Sequence, residues 1–261
     1  MEEMLLGVQK LSKAFGGLWA VKDYSLALPE GKIYGLIGPN GAGKTTIFNL
    51  FTGVLRPDQG KITFDGEDIT GLSAHKVASR GIARTFQNLR LFKDLTVAMN
   101  AKVARHRHLN YGLAQTILSS SKFLQQEEEL DQFATQLLDL FGLAAFRDRK
   151  ASSLPYGYQR RLELVRALAS GPRLILIDEP TSGMNPKESE ELAELVRKTR
   201  EKFSLTAIIV EHRMPFIMGL CEQVQVLDHG VLIAEGSPEE VRSNPEVIEA
   251  YLGEAELAAQ S

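Results

Sequence analysis

The chain has 261 residues, 44% of them hydrophobic and 24% charged, with 30 basic against 33 acidic side chains and a formal net charge of −3. This is the profile of a soluble globular protein of one large domain, or one domain with a sub-lobe, and it lacks the concentrated basic surplus of a phosphate-backbone binder, so no nucleic-acid partner is expected. The longest apolar runs, "LILI" and "AIIV", are far below the ~18 residues that span a bilayer, and the "MEEM" start is acidic where a signal peptide is basic. A cytoplasmic chain is expected. Cys221 is the single cysteine, which excludes an intrachain disulfide and points to a buried, inert thiol.

In chain order, "KIYGLIG" (Lys32–Gly38) reads as the first buried strand, and it runs directly into "GPNGAGKTT" and the helical stretch "KTTIFNLFTG". Between about Phe92 and Ala151 the strands vanish. There "FLQQEEELDQFATQLLDLFG" repeats apolar residues at helical spacing (Leu130, Phe133, Leu137, Leu140), which predicts an inserted helical sub-lobe. Three further strands follow: "RLILID" (Arg173–Asp178), "LTAIIVE" (Leu205–Glu211) and "QVQVLD" (Gln223–Asp228). Their continuous apolar character implies burial on both faces, hence a parallel sheet covered by helices. "GSPEEV" and "SNPEVIEAYLG" each set Ser or Asn before Pro, which predicts two short helices ahead of a frayed "AELAAQS" tail.

"GPNGAGKTT", Gly38 to Thr46, satisfies G-x-x-x-x-G-K-[ST] with Gly38, Gly43, Lys44 and Thr45 in the defining places, between a strand and a helix. Glycines let backbone N–H groups turn toward phosphate oxygens, Lys44 brings a point charge to the β/γ-phosphates, and Thr45 a hydroxyl to Mg²⁺. The helix N-terminus adds its partial positive charge. A kinase, a GTPase or a motor could carry the same loop. "LILIDEPTSG" supplies the second element, with Asp178 able to hold Mg²⁺ through water and Glu179 able to orient and deprotonate an attacking water. Alone, the pair would be two solvated carboxylates at a strand end. No N-K-x-D element of guanine recognition is present, which favours ATP.

These motifs, with "RTFQ" (Gln87), "LPYGYQRR", "TSGMNP" and "IIVEHRM" (His212) in the same order, resemble those of ABC-type ATPases over nearly the whole chain. The resemblance implies an α/β P-loop NTPase (RecA-like) core with a mainly parallel sheet, an antiparallel β edge and an inserted helical subdomain. Residues 1–91 and 152–235 would form the ATP-binding core, 92–151 the helical subdomain, and 236–261 a C-terminal helical appendage. It further implies that Gly38, Pro39, Asn40, Gly41, Ala42, Gly43, Lys44, Thr45 and Thr46 wrap the phosphates of ATP. Thr45, Gln87 and Asp178 would meet Mg²⁺, with Glu179, His212, Gln87 and Lys44 catalytic and Phe15 stacked on adenine. Core packing is the other reading of Phe15, a solvated loop residue that of Gln87, and a satisfied histidine near the core that of His212. The stretch from Leu154 would be the signature motif, whose backbone at Gly157 and Tyr158 binds the γ-phosphate held by an opposite subunit. An aromatic-packed helix turn without ligand is the alternative there. Pro155 and Tyr156 stand where the family has serine and glycine, Tyr158 where glutamine is common, and Asn185 where the D-loop has aspartate. Asn185 with Pro186 equally fits a helix cap. Arg213 has no assigned role, and the pair His106 and His108 reads as surface.

"GIARTFQNLRLFKDLTVAMN" and "EGSPEEVRSNPEVIEAYLGE" narrow the resemblance to ATP-binding subunits of branched-chain amino-acid importers, the LivG type. Urea and other amide importers and lipopolysaccharide exporters use similar subunits. The partners implied are a second ATPase subunit, transmembrane permease subunits and, indirectly, a periplasmic or extracellular solute-binding protein. The place implied is the cytoplasmic face of the membrane. A soluble ABC ATPase acting on DNA or ribosomes usually has two ATPase units or a long coiled coil, and neither is found. A non-hydrolysing regulatory module is disfavoured by Glu179 and His212.

Overall fold

The structure, a computed structural model, describes residues 3–105 and 121–251. His106, His108 and the "AELAAQS" stretch lie outside the described residues. The first elements are β1 (Met4–Phe15), β2 (Leu18–Pro29), β3 (Ile33–Ile37), α1 (Lys44–Phe51), β4 (Gln59–Phe64), β5 (Glu67–Asp68), α2 (Ala74–Ser79) and β6 (Ile82–Arg84). Two helices, α3 (Val97–Arg105) and α4 (Ser121–Leu140), occupy the expected lobe. The chain then forms α5 (Tyr156–Ala169), β7 (Leu174–Asp178), α6 (Pro186–Phe203), β8 (Thr206–Val210), α7 (Met214–Leu220), β9 (Gln223–Asp228), β10 (Val231–Gly236) and α8 (Pro238–Ser243).

Six strands form the main sheet in the order β10-β9-β3-β8-β7-β6, parallel except for the antiparallel edge strand β10. Each central strand divides its side chains between two cores. Ile33, Ile37, Ile175, Ile177, Ala207 and Ile209 face α5, α6 and α7, whereas Leu36, Leu174, Leu176, Ile208 and Val210 face α1 and a second sheet. Such two-sided burial is what makes these strands read as unbroken apolar runs. The second sheet is separate, four-stranded and antiparallel (β2-β1-β4-β5), so the antiparallel structure extends well beyond the expected edge. Repeated register shifts between β1 and β2 interrupt the alternation by which sequence would reveal such strands.

Within the helical segment, Leu130 and Leu137 are buried, and Phe133 and Leu140 pack against the core that holds Leu137, as their spacing predicted. Its two chain ends run side by side, with the Val97 amide donating to Arg149 O and the Ala151 amide to Leu95 O. At the end of the described chain both cap readings are realised. Ser237 and Glu240 form a capping box, and the Glu246 amide donates to Asn244 Oδ1 at 2.9 Å, opening the helical residues 245–251. Cys221 is buried, and burial pushes its thiol pKa up, as an inert thiol requires.

A buried polar contact between strands joins the two sheets. Tyr24 of β2 donates its hydroxyl to Gln225 Oε1 of β9 at 2.5 Å, and Gln225 Nε2 donates to Ser25 O at 3.2 Å. Both side chains are sealed from water, and burial, helped by the Glu235 charge, pushes the phenol pKa up. Tyr24→Phe leaves the Gln225 carbonyl without its donor in a dry interface. Urea unfolding should show a loss of about 1–3 kcal/mol with an unchanged m-value.

Candidate active site

Parallel pairing aligns the ends of four strands. Leu36 of β3 is opposite Val210 of β8, which is opposite Asp178 of β7, and Arg84 of β6 is opposite Leu176. The segments that leave these ends therefore share one edge of the sheet, where open α/β sheets take ligands. They are Gly38–Gly43 after β3, Gln87 after β6, Glu179–Asn185 after β7, and Glu211–Arg213 after β8.

Gly38 has φ 145° and Gly43 φ 105°, and a Cβ on them would lie 2.0 Å from Leu227 O and 2.3 Å from Ala20 O. Both positions demand glycine for conformation and for space. Pro39 and Ala42 are buried, and the Ala42 carbonyl accepts from the Gly230 amide at 3.0 Å, so the loop rests on the β9–β10 turn. Asn40, Gly41 and Thr45 are exposed, with Thr46 half-buried. Helix α1 starts at Lys44 behind Gly43 with no capping side chain, so its N-terminus opens directly from the glycine loop. Lys44 Nζ folds over the loop, donating to Gly38 O at 2.6 Å and Pro39 O at 2.7 Å.

Asp178 and Gln87 converge around Glu179. Asp178 is buried; its Oδ2 pairs with Arg84 at 2.8 Å, and its amide donates to the Thr85 hydroxyl at 3.1 Å. Arg84 also donates to Asn49 Oδ1 of α1 at 2.7 Å, which ties the acidic strand end to the helix of the glycine loop. Glu179 takes φ 44°, a left-handed conformation costing a residue with a side chain on the order of 1–3 kcal/mol. Its amide donates to Val210 O at 2.9 Å, and its carboxylate accepts from Gln87 Nε2 at 3.0 Å. Two residues 92 positions apart thus meet, and Gln87 is engaged with more than solvent.

His212 projects an imidazole 59% exposed beside this edge. Phe15 ends β1 about half exposed, outside the buried core, with Lys13 Nζ 5.6 Å from the centre of its ring. Asn185 caps α6, accepting from the Glu188 amide at 3.0 Å while Glu188 accepts from the Asn185 amide at 2.9 Å. Arg213, without a role from sequence, donates to Met184 O at 2.8 Å.

The "LPYGYQRR" stretch opens α5, with Pro155 at the cap and Gly157 and Tyr158 in the first turn. No side chain caps this helix. Tyr158 packs on Phe146, ring centroids 4.9 Å apart. Tyr156 lies so close to Gly183 that a Cβ there would be 2.9 Å from the ring, and Gly157 faces the Glu188 carboxylate in the same way at 3.2 Å. Sequence reasoning missed Arg160, which is 4% exposed. Its guanidinium donates to Phe86 O at 3.1 Å, to Gln87 O at 2.5 Å, to the Tyr156 hydroxyl at 3.0 Å and to Glu163 Oε2 at 3.3 Å. The helix that begins at the signature stretch therefore grips the backbone that carries Gln87. Glu163 is itself buried, and desolvation outweighs its hydrogen bonds and pushes its carboxyl pKa up. Nothing in "YQRRLEL" distinguishes Arg160 from a solvated helix arginine; only a partner over 70 positions away does. Arg160→Met should cost about 3–5 kcal/mol in denaturant unfolding, because buried Glu163 loses its ion-pair partner and keeps only the nearby charge of Arg166, while the Phe86 and Gln87 carbonyls lose their donor. Arg160→Lys should recover only part, since one ammonium cannot serve the acceptors of a planar fork.

Residues 21–182 match the ABC transporter family model, and residues 231–256 match that of branched-chain amino acid ATP-binding cassette transporters. The chain is 44% identical to the high-affinity branched-chain amino acid transport ATP-binding protein BraF of Pseudomonas aeruginosa, over 98% of this chain and all of that one. It is also 44% identical, with the same coverage, to the corresponding protein LivG of Escherichia coli. The lipopolysaccharide export system ATP-binding protein LptB of Haemophilus influenzae is 35% identical over 96% of this chain and 98% of its own length. The crystal structure of an ABC transporter's ATP-binding cassette in the ADP conformation superposes with a TM-score of 0.82 at 31% identity, covering 97% of this chain and 99% of that one. With the glycine loop, the acidic strand end and the Gln87–Glu179 contact on one sheet edge, the chain belongs to the ATP-hydrolysing, nucleotide-binding cassettes of ABC transporters.

Proposed function

We propose that this cassette pairs with a second one, hydrolyses ATP at their interface, and drives a membrane permease that imports branched-chain amino acids. The observation that carries the solute is the 44% identity with BraF over the full length, joined to the family match at residues 231–256, against 35% for the lipopolysaccharide exporter subunit. In this reading the protein sits peripherally at the cytoplasmic face of the membrane, against its permease and, through it, an external solute-binding protein. No helix among the described residues is long and apolar enough to cross a membrane. We assign 1–91 and 152–235 to the ATP-binding core, 92–151 to a helical subdomain and 236–261 to an appendage; the pairing of 93–98 with 147–152 supports the insertion.

In the site, Gly38–Thr46 would wrap the phosphates with backbone amides, and Lys44 would exchange its two loop carbonyls for β/γ-phosphate oxygens. Thr45, Gln87 and Asp178 would offer the oxygen donors that suit Mg²⁺, which would neutralise phosphate charge when bound. Substrate phosphates and water would complete the shell, as is usual for Mg²⁺ at nucleotide sites. Glu179, aimed by Gln87, would orient and deprotonate the attacking water. His212 would contact the γ-phosphate and Phe15 the adenine. Gly157 and Tyr158, at an uncapped helix start, would present amides to the γ-phosphate held by the other subunit. Departure of that phosphate would release the contacts that hold the dimer closed.

Glu179→Gln keeps the shape and removes the base. ATP titration should be unchanged while turnover falls at least ~100-fold, and an ATP-bound dimer should accumulate on gel filtration; near-normal hydrolysis would remove Glu179 from the role. Gly157→Asp adds bulk and negative charge at the proposed shared contact, beside Glu188 of its own chain. With its fold verified by circular dichroism, it should bind ATP as a monomer like the parent yet neither dimerise nor hydrolyse. Mixing it with Lys44→Ala chains should restore turnover through the one intact composite site of each mixed dimer. Loss of ATP affinity in the Gly157→Asp monomer would overturn the shared-site reading. For the solute, ATP-dependent leucine uptake into vesicles carrying the complete transporter, with none of urea, is the expected result.

A further inference from the structure

Glu211 follows β8, immediately before His212, and is 1% exposed. Its two carboxylate oxygens serve different loops. Oε1 accepts from the Thr181 amide at 2.9 Å and from the Thr181 hydroxyl. Oε2 accepts from the amides of His212 at 2.8 Å and Arg213 at 3.2 Å. Four donors from two chain segments thus converge on one buried carboxylate, the arrangement that compensates an anion removed from water. The His212 imidazole stands 3.6 Å from Oε2, too far for a hydrogen bond, so the link to that loop runs through its backbone.

Each loop carries a residue assigned above to the chemistry. Thr181 lies two positions beyond Glu179, in a turn closed by the Ser182 amide on Glu179 O at 3.2 Å and the Met184 amide on Thr181 O at 3.0 Å. Glu179 occupies a left-handed backbone state that its surroundings must impose. The half-exposed His212 ring has little packing to place it. Arg213 adds a second tie between the same loops through Met184 O. An apolar residue at 211 would fill the space but would leave the amides of Thr181, His212 and Arg213 without this acceptor.

We infer that Glu211 is a positioning residue that fixes the Glu179 loop and the His212 loop in one relation, one carboxylate oxygen to each. It touches no substrate; it sets where the base and the histidine stand relative to each other. The inference rests on the proposed catalytic roles of Glu179 and His212. Displacements of about 1 Å at a reacting group cost on the order of 10²-fold in rate, so the effect belongs in kcat and not in nucleotide affinity.

The test is ATP hydrolysis and ATP titration on the purified full chain. Glu211→Gln keeps the volume but turns one acceptor oxygen into an amino group facing N–H donors. It should lower kcat roughly 30- to 100-fold and leave ATP affinity within about twofold. Thr181→Val removes only the hydroxyl and should lower kcat roughly 3- to 10-fold, whereas Thr181→Ser, which keeps it, should return close to the parent. Unchanged kcat in Glu211→Gln, a loss confined to ATP affinity, or Thr181→Ser no better than Thr181→Val would each overturn the inference. If Glu211→Gln does not fold, the Thr181 pair decides alone. Glu179→Gln run alongside separates the two readings. Full turnover in that variant defeats the catalytic assignment itself, while a dead Glu179→Gln with a parent-like Glu211→Gln defeats only the positioning role.

Discussion

Parallel strand pairing is the constraint on which the site depends. The register that sets Leu36 opposite Val210, and Val210 opposite Asp178, is held by main-chain hydrogen bonds and by the close packing of alternate side chains into two separate cores. A shift of one residue would send every side chain to the opposite face of the sheet. Because the strand ends are level, the glycine loop, the acidic pair and the histidine loop leave the sheet together, and short connections bring in Gln87. No long loop has to find the site; the sheet delivers it.

Around that edge the chain accepts unfavourable local states and offsets them with buried polar contacts. Glu179 is left-handed, Asp178 is a buried carboxylate and Arg160 a buried cation. Asp178 is matched by Arg84, which links β6, β7 and α1. Arg160 is matched by Glu163 and by the backbone of the Gln87 segment. Glu179 is held by Gln87 and Val210 O, while Glu211 links the loops after β7 and β8. In such a network the loss of one partner leaves the other desolvated and uncompensated, which costs more than the pair contributes.

How much of this can be read from the residues depends on the distance over which each one acts. "GPNGAGKTT" and "LILIDEP" declare themselves because their chemistry lies within a few residues and their strands are unbroken apolar runs. The caps at Asn185 and Ser237 are equally local, since Asn-Pro and Ser-Pro with Glu three positions on contain the whole hydrogen-bonding unit. Arg84, Arg160 and Glu211 are illegible, because a charged residue at a strand or helix end looks solvated until its partner in another segment is known. The signature helix shows the limit within a single pair: Arg160 is buried, while neighbouring Arg161 reaches out to Glu191. The antiparallel sheet was only partly legible for another reason. Its longest strands shift register repeatedly, which erases the alternation that identifies a half-buried strand.

The strand order also has a consequence for how the molecule is made. Strands β1, β2, β4 and β5 all lie within residues 4–68 and can pair soon after they are synthesised. Strand β3 cannot, because Tyr34 finds its neighbours only at Ile208 and Gln223. At ~5–20 residues per second, a ribosome needs roughly 10–35 s to supply them. For that interval a fully apolar strand exists with both edges open, a state prone to mispairing with other chains. Until β8 and β9 follow, β3 therefore waits without either neighbour, and a chain cut before β8 would never acquire them.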